Sequence, residues 1–347
     1  MNKTQVDIVV GGQYGSEAKG LVATHLACKK KYDWLVSVNS AQAGHTAPYF
    51  KTGEKIVNRQ LPSACINNHD AKILIGAGAI INPEVLLDEI ERLELIGIPI
   101  VDRLFISSEA TVITPWDIEH ERDTLLQERI GSTCEGVGSA LASRVRRDGQ
   151  TFGKMADHFM ELLGKKFVVN NEVIHGHIFL EGSQGYALST YKGHYPFCTS
   201  RDTTAAAFLS YARLSPKDVV DIYGVFRTFP IRVGGNSGDL PNELTWEEVA
   251  KISGYKSLRE HTTVTKRVRR VGMWDSKLAA ESVLVNGINK PVLTFVNYLD
   301  SSVEGIDDPI LFTADVADKV KEMGKSVGGF WACSTSAENL IVLDDLI

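Results

Sequence analysis

The chain has 347 residues, 44% hydrophobic and 23% charged, which is typical of a globular protein with a sizeable core. Its 37 Lys and Arg against 43 Asp and Glu give a net charge of −6, which repels phosphate backbones, so we expect no general nucleic-acid binding. The longest apolar stretch, Ile73 to Ile81, is too short to cross a membrane. Five cysteines without a CxxC pair predict reduced thiols in a cytoplasmic protein, not a disulfide framework or a zinc ribbon.

Apolar, β-rich runs alternate with helical patterns through most of the chain. The predicted strands are Val6–Val10, Trp34–Val38, Ile73–Ile75, Ile178–Glu181, Val219–Val225 and Val292–Asn297. The predicted helix starts are Lys19, Pro83 after Asn82, Pro115 after Thr114, and a capping box of Thr245 with Glu248. This alternation predicts an α/β fold around a mostly parallel central sheet flanked by helices. We see no repeat or linker and expect one domain over residues 1–347 with long inserted loops.

The first predicted strand runs into the glycine-rich segment Gly11-Gly12-Gln13-Tyr14-Gly15-Ser16-Glu17-Ala18-Lys19-Gly20. A strand, a tight turn and a helix aim backbone N–H groups at an anion, and Lys19 adds a charge that suits phosphate. The segment lacks the Gly-Lys-Ser/Thr ending of a P-loop and the GxGxxG pattern. On this pattern alone, phosphate binding and an ordinary strand–helix turn both remain open.

Four further segments carry polar residues that packing alone does not explain. They are Ala43–Thr46, with a histidine in a glycine-containing turn; Glu181–Gly185; the hydroxyl-rich Thr199–Thr204; and Thr263–Arg270, with four cations among its last five residues. Glu181–Gly185 ends a buried strand, which is where ligand crevices of open α/β sheets lie. In an acidic chain the basic segment favours anion binding, with a solvated loop as the alternative.

These segments resemble, in order, the motifs of the adenylosuccinate synthetases. The first loop resembles the family signature GGQWGDEGKG, and it is followed by AGHT, IGST, EGSQG, YPFCTS and an arginine loop ending GMWD. The resemblance implies an adenylosuccinate synthetase-like fold related to P-loop NTPases, in the compact archaeal form. It also implies a homodimeric ligase that joins L-aspartate to C6 of a purine monophosphate, after a nucleoside triphosphate has phosphorylated O6.

The resemblance implies a role for each matching position. The implied catalytic residues are Ser16, Lys19, His45 and Gln184. The triphosphate-binding residues are Gly15, Ser16, Glu17, Ala18, Lys19, Gly20, Gly44, His45, Thr46, Arg269, Phe295, Asn297, Ser334 and Ser336. The monophosphate-binding residues are Ser16, Lys19, Gln42, Ala43, Thr133, Gln184, Thr199, Arg267 and, from the partner subunit, Arg147. The aspartate-binding residues are Thr263, Val264, Thr265, Arg267 and Arg269. Mg²⁺ is the implied cofactor, with Ser16 and the Gly44 carbonyl as its protein ligands.

Two departures from the family pattern change the expected substrates. Ser16 replaces an aspartate that takes the purine N1 proton, and a hydroxyl is a poor base. The family's motif Thr-Lys-Leu-Asp, whose aspartate reads guanine, appears here as Thr294-Phe295-Val296-Asn297. Phe295 can stack on a base, and an asparagine offers one donor and one acceptor, as adenine requires. Both changes resemble the phage branch of the family, which converts dGMP, L-aspartate and ATP or dATP to N6-succino-2-amino-dAMP for 2-aminoadenine DNA. Such an enzyme would work in the host cytoplasm.

Two alternatives remain beside this hypothesis. The first is an ordinary adenylosuccinate synthetase that acts on IMP and tolerates Ser16. The second is a non-catalytic nucleotide-binding relative. The retention of Lys19, His45 and Gln184 argues against the second alternative, because a protein that only binds nucleotides has no need of a phosphoryl-transfer histidine.

Overall fold

The computed structural model describes residues 3–163, 168–170, 172–262 and 266–343. The α-helices in these residues are α1 (Lys19–Lys29), α2 (Pro83–Leu95), α3 (Pro115–Asp123), α4 (Leu126–Ile130), α5 (Val137–Arg146), α6 (Ala156–Leu163), α7 (Ala205–Ala212), α8 (Trp246–Ser253), α9 (Ser276–Asn286) and α10 (Ala314–Gly324). The strands are β1 (Gln5–Gly11), β2 (Trp34–Ser37), β3 (His45–Pro48), β4 (Lys55–Asn58), β5 (Lys72–Ile75), β6 (Ile80–Ile81), β7 (Leu104–Ser107), β8 (Thr111–Val112), β9 (Gln150–Thr151), β10 (Val168–Asn170), β11 (His177–Glu181), β12 (Val219–Arg227), β13 (Ile231–Arg232), β14 (Glu243–Leu244), β15 (Arg270–Gly272), β16 (Lys290–Thr294), β17 (Ala332–Cys333) and β18 (Ile341–Val342).

A ten-stranded sheet forms the centre of the fold, with the strand order β10-β7-β5-β2-β11-β1-β12-β16-β17-β18. Its strands are parallel except for the edge strand β18, which is antiparallel to β17. The predicted α/β class with a mostly parallel sheet is therefore confirmed. None of the helices in the described ranges has the length and apolar character that a membrane span requires.

Both faces of the sheet are buried. On β1, Val9 belongs to one hydrophobic cluster, whereas Ile8 and Val10 belong to a second cluster on the opposite face. This alternation follows from the two-residue period of a strand. It explains why the central strands are mostly apolar, as parallel strands covered on both sides are.

The predicted helix starts are confirmed: α1 begins at Lys19, and the other three helices have side-chain capping contacts. The Asn82 side chain accepts hydrogen bonds from the first-turn N–H groups of α2, and Pro83 occupies the first helical position. Thr114 and Thr245 each form a capping box with an acidic residue three positions later. These contacts satisfy N–H groups that the helix itself leaves unpaired.

Two local predictions were wrong. The last predicted strand, Val292–Asn297, ends at Thr294, because Phe295 has a left-handed backbone with φ 59° and residues 296–298 form a 3₁₀ turn. His45 is the first residue of β3 and pairs with Asn58 instead of lying in the preceding turn. Both differences turn a side chain toward the same edge of the sheet.

That edge is where the strand order reverses. The chain first builds outward from β1 through β2, β5 and β7, and then returns to insert β11 between β2 and β1 before it continues to β12. Ligands of open α/β sheets bind outside the carboxyl ends of the strands at such a switch point. The loops after β1, β2 and β11 meet there.

Candidate active site

A cavity of about 820 Å³ lies at this edge. Loops that follow β1, β2, β11, β12, β16 and β17 all contribute to its wall. The predicted site residues that line it are Gly15, Ser16, Ala18, Lys19, Gly20, Gln42, Ala43, Gly44, His45, Thr46, Thr133, Gln184, Thr199, Arg269, Phe295, Asn297, Ser334 and Ser336. Residues from separate segments of the sequence are thus brought together, in a volume sufficient for a sizeable ligand.

The loop after β1 presents backbone donors to the cavity. Gly15, Ser16 and Ala18 have positive φ angles of 88°, 58° and 65°. Left-handed residues of this kind form concave arrangements of N–H groups that suit anions. Within the described part of the chain, the N–H groups of residues 16–20 have no protein acceptor, so they are available to a phosphate at the N-terminus of α1.

A buried carboxylate under this loop holds its shape. Glu17 accepts hydrogen bonds from the N–H groups of Gln13 and Gly15, at 3.1 and 2.7 Å. It also forms an ion pair of 2.8 Å with Lys19 Nζ. The Glu17 side chain therefore lies behind the loop and does not line the cavity, so only its backbone N–H is left for the predicted triphosphate contact. Lys19 does line the cavity and is held at a fixed point by this pair.

His45 is oriented by a second buried carboxylate. Its Nδ1 lies 2.6 Å from Glu181 Oε1, and Glu181 also accepts hydrogen bonds from the Ser63 N–H and hydroxyl. Glu181 is fully buried at the carboxyl end of β11. Since Nδ1 faces this carboxylate, Nε2 is the ring nitrogen that remains for the cavity. The histidine is thus a positioned group suited to bind a charged oxygen of a ligand.

Three predicted monophosphate contacts meet at one hydroxyl. Thr199 Oγ1 accepts hydrogen bonds from Gln42 Nε2 at 3.0 Å and from Gln184 Nε2 at 2.9 Å. Two amide donors occupy the acceptor sites of this oxygen, so its own hydrogen is left to donate to an anion. Gln184 has a left-handed backbone with φ 60°, a conformation that is uncommon for residues other than glycine.

The N-terminus of α5 adjoins the same region and is already occupied by a carboxylate. Glu121 lines the cavity, and it accepts hydrogen bonds from the N–H groups of Gly136, Gly138 and Ser139. Glu121 therefore satisfies the unpaired N–H groups in the first turn of α5. The nearby Thr133 also lines the cavity, and it does not cap this helix.

The opposite end of the cavity has the character of a pocket for an aromatic base. Phe295 offers a ring, and Asn297 is an almost fully buried amide beside it. Asn297 Nδ2 donates to the Tyr255 hydroxyl at 2.9 Å. The hydroxyl of Ser334 donates to the Ser336 carbonyl, which fixes the far wall. An aromatic face with one amide at its edge is a common way to bind a nucleobase.

A buried ion-pair network connects the two ends. The fully buried Arg227 donates to the Ser16 carbonyl at 3.2 Å, and its guanidinium lies 4.1 Å from the centre of the Phe295 ring. Glu260 pairs with Arg227 and, at 3.1 Å, with Arg269. These neighbouring cations hold the pKa of Glu260 below its usual value despite burial, which alone would raise it. Arg269 is thereby placed at the cavity wall.

Several predicted residues are not brought into the cavity. Arg147 lies at the outer end of α5 and is exposed, and it does not line the cavity of its own subunit. Arg267 is exposed and lies beside Gly235. Thr263, Val264 and Thr265 lie outside the described residues.

Other residues of the site were missed by sequence reasoning. They are Tyr14, Glu121, Arg227, Arg232, Tyr255 and Glu260, and the role of Glu181 as the partner of His45. Of these residues, only Glu181 is indicated by a pattern in the sequence. It is an acidic residue at the end of an apolar strand, and a buried carboxylate in such a position needs a partner. The others act through contacts that are distant in sequence, for which the sequence has no pattern.

The oxygen donors at the loop fit a Mg²⁺ ion that is held mainly by phosphates. Ser16 and Gly44 both line the cavity and offer a hydroxyl and a carbonyl oxygen. In the described residues no group of three or more His, Cys, Asp or Glu side chains could hold a metal by itself. Mg²⁺ normally retains few protein ligands and binds with substrate phosphates, so a small donor set of this kind is sufficient.

Comparisons with known proteins agree with this arrangement. The adenylosuccinate synthetase family model matches residues 8–176 and 165–307. The chain is 36% identical over 304 residues to the adenylosuccinate synthetase of Archaeoglobus fulgidus, covering 87% of this chain and 86% of that protein. It is 35% identical over 324 residues to the enzyme of Thermococcus sibiricus, covering 92% of both. The chain belongs to the adenylosuccinate synthetase family. It is therefore a C–N bond-forming ligase.

Solved structures in this family share the fold. The succinoaminodeoxyadenylate synthetase PurZ of cyanophage S-2L, bound to dGMP and dATP as an energy donor, superposes with a TM-score of 0.80 at 26% identity, covering 98% of this chain and 96% of that one. The fully ligated adenylosuccinate synthetase of Plasmodium falciparum superposes with a TM-score of 0.81 at 19% identity, covering 97% and 99%. The second likeness concerns the fold alone.

Proposed function

We propose that this ligase acts on dGMP rather than IMP. It joins L-aspartate to C6 of dGMP at the expense of ATP or dATP, and the products with ATP are N6-succino-2-amino-dAMP, ADP and phosphate. The observation that carries the proposal is Ser16, a short hydroxyl on the cavity wall where the family has an aspartate. The likeness to a phage enzyme whose structure holds dGMP and dATP supports it.

Ser16 distinguishes the two purines by size and by hydrogen bonding. Guanine carries a 2-amino group that hypoxanthine lacks, next to N1. An aspartate near N1 would crowd that group, whereas a serine leaves room and its oxygen can accept a hydrogen bond from the amine. The Ser16 side chain is exposed to the cavity and has no protein partner in the described residues, so this oxygen is available.

The first chemical step is transfer of the γ-phosphoryl group. Purine O6 attacks the γ-phosphorus, the bond to the β-phosphate oxygen breaks, ADP leaves, and the N1 proton is released. The residues that bear on this step are Lys19, the free N–H groups of residues 16–20 and His45 Nε2, because charge spreads over the phosphoryl oxygens in the transition state. Mg²⁺, when bound, would neutralise part of that charge and lower the pKa of the groups that bind to it.

The second step is displacement of the new phosphate. The amine of aspartate attacks C6, and the C6–O6 bond breaks to release inorganic phosphate. Arg269, held by Glu260 at the cavity wall, is suited to bind a carboxylate of the incoming aspartate through its planar guanidinium. As the C–N bond forms, the amine nitrogen gives up one proton to the departing phosphate or to water. The N1 proton of the first step passes to water, directly or through the Ser16 oxygen, after polarisation of O6, because a hydroxyl is a poor base.

The alternative substrate, IMP, has one specific observation in its favour. The curated relatives with 35–36% identity are named adenylosuccinate synthetases. IMP has no 2-amino group, so Ser16 would have no such partner on the purine. The loop after β1, Lys19 and His45 serve either substrate equally well, and the discriminating residue is Ser16.

The test compares wild type and Ser16→Asp with dGMP, dIMP and IMP, each with aspartate and ATP. Phosphate release and the succinylated product are measured. The proposal requires wild type to prefer dGMP by at least about tenfold and Ser16→Asp to lose that preference. Ser16→Ala is the matched control, since it keeps the space but removes the oxygen. Equal wild-type turnover of IMP and dGMP would refute the proposal.

We also infer that the working unit is a homodimer in which Arg147 completes the monophosphate site of the partner. The exposed position of Arg147 at the outer end of α5, away from its own cavity, supports this inference. Thr133 and Thr199 are neutral donors, so a cation from the partner would add the positive charge that a monophosphate favours.

A further inference from the structure

A chain of two hydrogen bonds joins three side chains at the base-binding end of the cavity. Asn297 Nδ2 donates to the Tyr255 hydroxyl at 2.9 Å, and the Tyr255 hydroxyl donates to Glu304 Oε2 at 2.9 Å. All three residues line the cavity. They come from the loop after α8, the turn after β16 and the loop that follows it, so the fold brings together positions up to 49 residues apart.

The direction of these bonds is fixed by proton counting. A tyrosine has one hydroxyl hydrogen, and an ionised carboxylate can only accept. Since that hydrogen is donated to Glu304, the Tyr255 oxygen can only accept from its other neighbour. The group at position 297 that faces it must therefore be a donor, which an amide nitrogen is and a carboxylate is not.

We propose that Tyr255 and Glu304 form a selectivity relay that fixes the orientation of the Asn297 amide and thereby selects an adenine nucleotide as the phosphoryl donor. The proposal rests on the proposed function, in which this end of the cavity holds the base of the donor triphosphate. With Nδ2 turned to Tyr255, the second Nδ2 hydrogen and Oδ1 form a fixed donor–acceptor pair. Adenine presents the complementary acceptor N1 and donor 6-amino group.

Guanine does not match this pair. Its Watson–Crick edge places two donors, N1–H and the 2-amino group, beside the carbonyl O6, and two adjacent donors call for a carboxylate. A carboxylate at position 297 would compete with Glu304 for the single Tyr255 hydrogen, and whichever carboxylate lost would face a lone pair of the Tyr255 oxygen. The relay therefore favours an amide at position 297, which adenine needs, and opposes a carboxylate there, which guanine needs. Specificity against a close competitor is usually obtained by combining such favourable and unfavourable contacts.

The surroundings keep the relay in this state. Asn297 is 7% exposed, so its amide has little water to pair with instead. Burial, with Glu304 beside it, raises the pKa of Tyr255 above its ordinary value of 10, so the hydroxyl hydrogen is present at neutral pH. The Tyr255 ring packs edge-on against Tyr298 with centroids 6.3 Å apart, and Tyr298 lies beside Phe295. The hydroxyl is thus held on a ring that is itself part of the pocket.

If residue 297 alone determined the selectivity, Asn297→Asp would be enough to favour GTP. The relay predicts a different result. In Asn297→Asp alone, the carboxylates at positions 297 and 304 compete for the single Tyr255 hydrogen, so ATP binding falls and GTP binding gains less than in the double variant. In the double variant Asn297→Asp with Glu304→Gln, the new amide at position 304 can donate to the Tyr255 oxygen. The tyrosine hydrogen then turns to the new carboxylate at position 297, and that carboxylate can accept from guanine.

The test measures dissociation constants of Mg²⁺ complexes of ATP and GTP by calorimetry for wild type, both single variants and the double variant, without purine monophosphate. We expect wild type to bind ATP at least about tenfold more tightly than GTP. We expect the double variant to bind GTP at least about tenfold more tightly than Asn297→Asp does. Tyr255→Phe, which removes the relay oxygen, should lower the ATP-to-GTP affinity ratio. Tyr186→Phe is the matched control, because it removes another tyrosine–glutamate bond, to Glu281, outside the cavity lining.

The outcomes separate this inference from the proposed function. If Asn297→Asp alone gains GTP affinity as strongly as the double variant, or if Tyr255→Phe leaves the ratio at the wild-type value, the relay is refuted even though ATP is preferred. If wild type binds GTP as well as ATP, the assignment of an adenine donor itself is wrong. Neither result depends on whether dGMP or IMP is the acceptor, since no acceptor is present.

Discussion

The contact between His45 and Glu181 permits a sharp test of the phosphoryl-transfer site. In Glu181→Gln the side chain keeps its size but loses its charge. The amide oxygen can still accept from the Ser63 N–H, which lies 2.7 Å from Glu181 Oε2 in the wild type. The amide nitrogen then faces His45 Nδ1 and the Ser63 hydroxyl, which lie 2.6 and 2.8 Å from Oε1 in the wild type. Nδ1 must become an acceptor, and the histidine loses its carboxylate partner.

The size of the effect follows from the bond that is lost. A hydrogen bond to a charged group contributes about 1.5–3 kcal/mol, and each step of about 1.36 kcal/mol corresponds to about a factor of ten in rate. If the carboxylate acts mainly when charge develops on the phosphoryl group, the loss falls on the transition state. We therefore expect kcat to fall by about 10- to 100-fold while the KM for ATP changes by less than about threefold.

The assay is steady-state phosphate release with saturating dGMP and aspartate, with the urea-unfolding free energy measured for each variant. The matched control is Glu89→Gln, since Glu89 is a similarly buried carboxylate that accepts backbone N–H bonds away from the cavity. This control also removes a buried carboxylate, and we expect it to leave kcat unchanged. A Glu181→Gln enzyme that loses stability but keeps its kcat would mean that Glu181 only fills space, and the reasoning would fail.

Three further outcomes follow from the structure. Mixing Arg147→Ala with His45→Ala subunits should restore up to about a quarter of wild-type activity through heterodimers with one intact composite site; no recovery, with subunit exchange demonstrated, would contradict the dimer inference. Burial raises the pKa of Glu89 from 4.5 to about 7. The stabilising contribution of the protonated carboxyl is therefore fully present below pH 4.5 and is lost as the pH rises through 7, which lowers the unfolding free energy by about 3 kcal/mol. Urea unfolding should detect this decline, and Glu89→Gln should abolish it. Arg227→Met breaks a buried pair with Glu260 and should lower the unfolding free energy by about 3–5 kcal/mol, whereas Arg227→Lys keeps the charge and should lower it less; both should raise the KM for ATP, because the Phe295 ring loses its guanidinium contact.

The elements of the fold were predictable where the sequence repeats a simple period or carries a cap. β1, β2 and β11 are buried on both faces and are therefore apolar runs, and the Asn82-Pro83 start of α2 is a local pattern. The end of β16 was not predictable, because Val292–Asn297 has the pattern of one apolar strand. The left-handed backbone at Phe295 that ends it lies where the ring packs against Arg227, a residue far away in sequence.

Many of the residues that line the candidate site were predictable from short motifs, but the contacts between them were not. Lys19, His45, Gln184 and Thr199 lie in short motifs, and the structure brings all four to one cavity. Which groups orient them depends on pairs that are far apart in sequence. The carboxylate that orients His45 is 136 residues away, and no spacing or periodicity records such a contact.

The same limit applies to the aspartate-binding loop and to the donor pocket. Arg269 lines the cavity as expected, but the glutamate that holds it belongs to the segment before the motif, where nothing singled it out. Asn297 was recognised through its departure from the family pattern. The tyrosine and glutamate that decide what this asparagine can bind became visible only with the hydrogen bonds of the folded chain.

The most direct test of the central claim follows the oxygen at C6 of the purine. Purified enzyme is given dGMP labelled with ¹⁸O at O6, together with L-aspartate, Mg²⁺ and ATP, and the released phosphate and the nucleotide product are analysed by mass spectrometry. We predict one ¹⁸O atom in each phosphate and an equal amount of N6-succino-2-amino-dAMP. Unlabelled phosphate, or consumption of IMP with no reaction of dGMP under the same conditions, would contradict it.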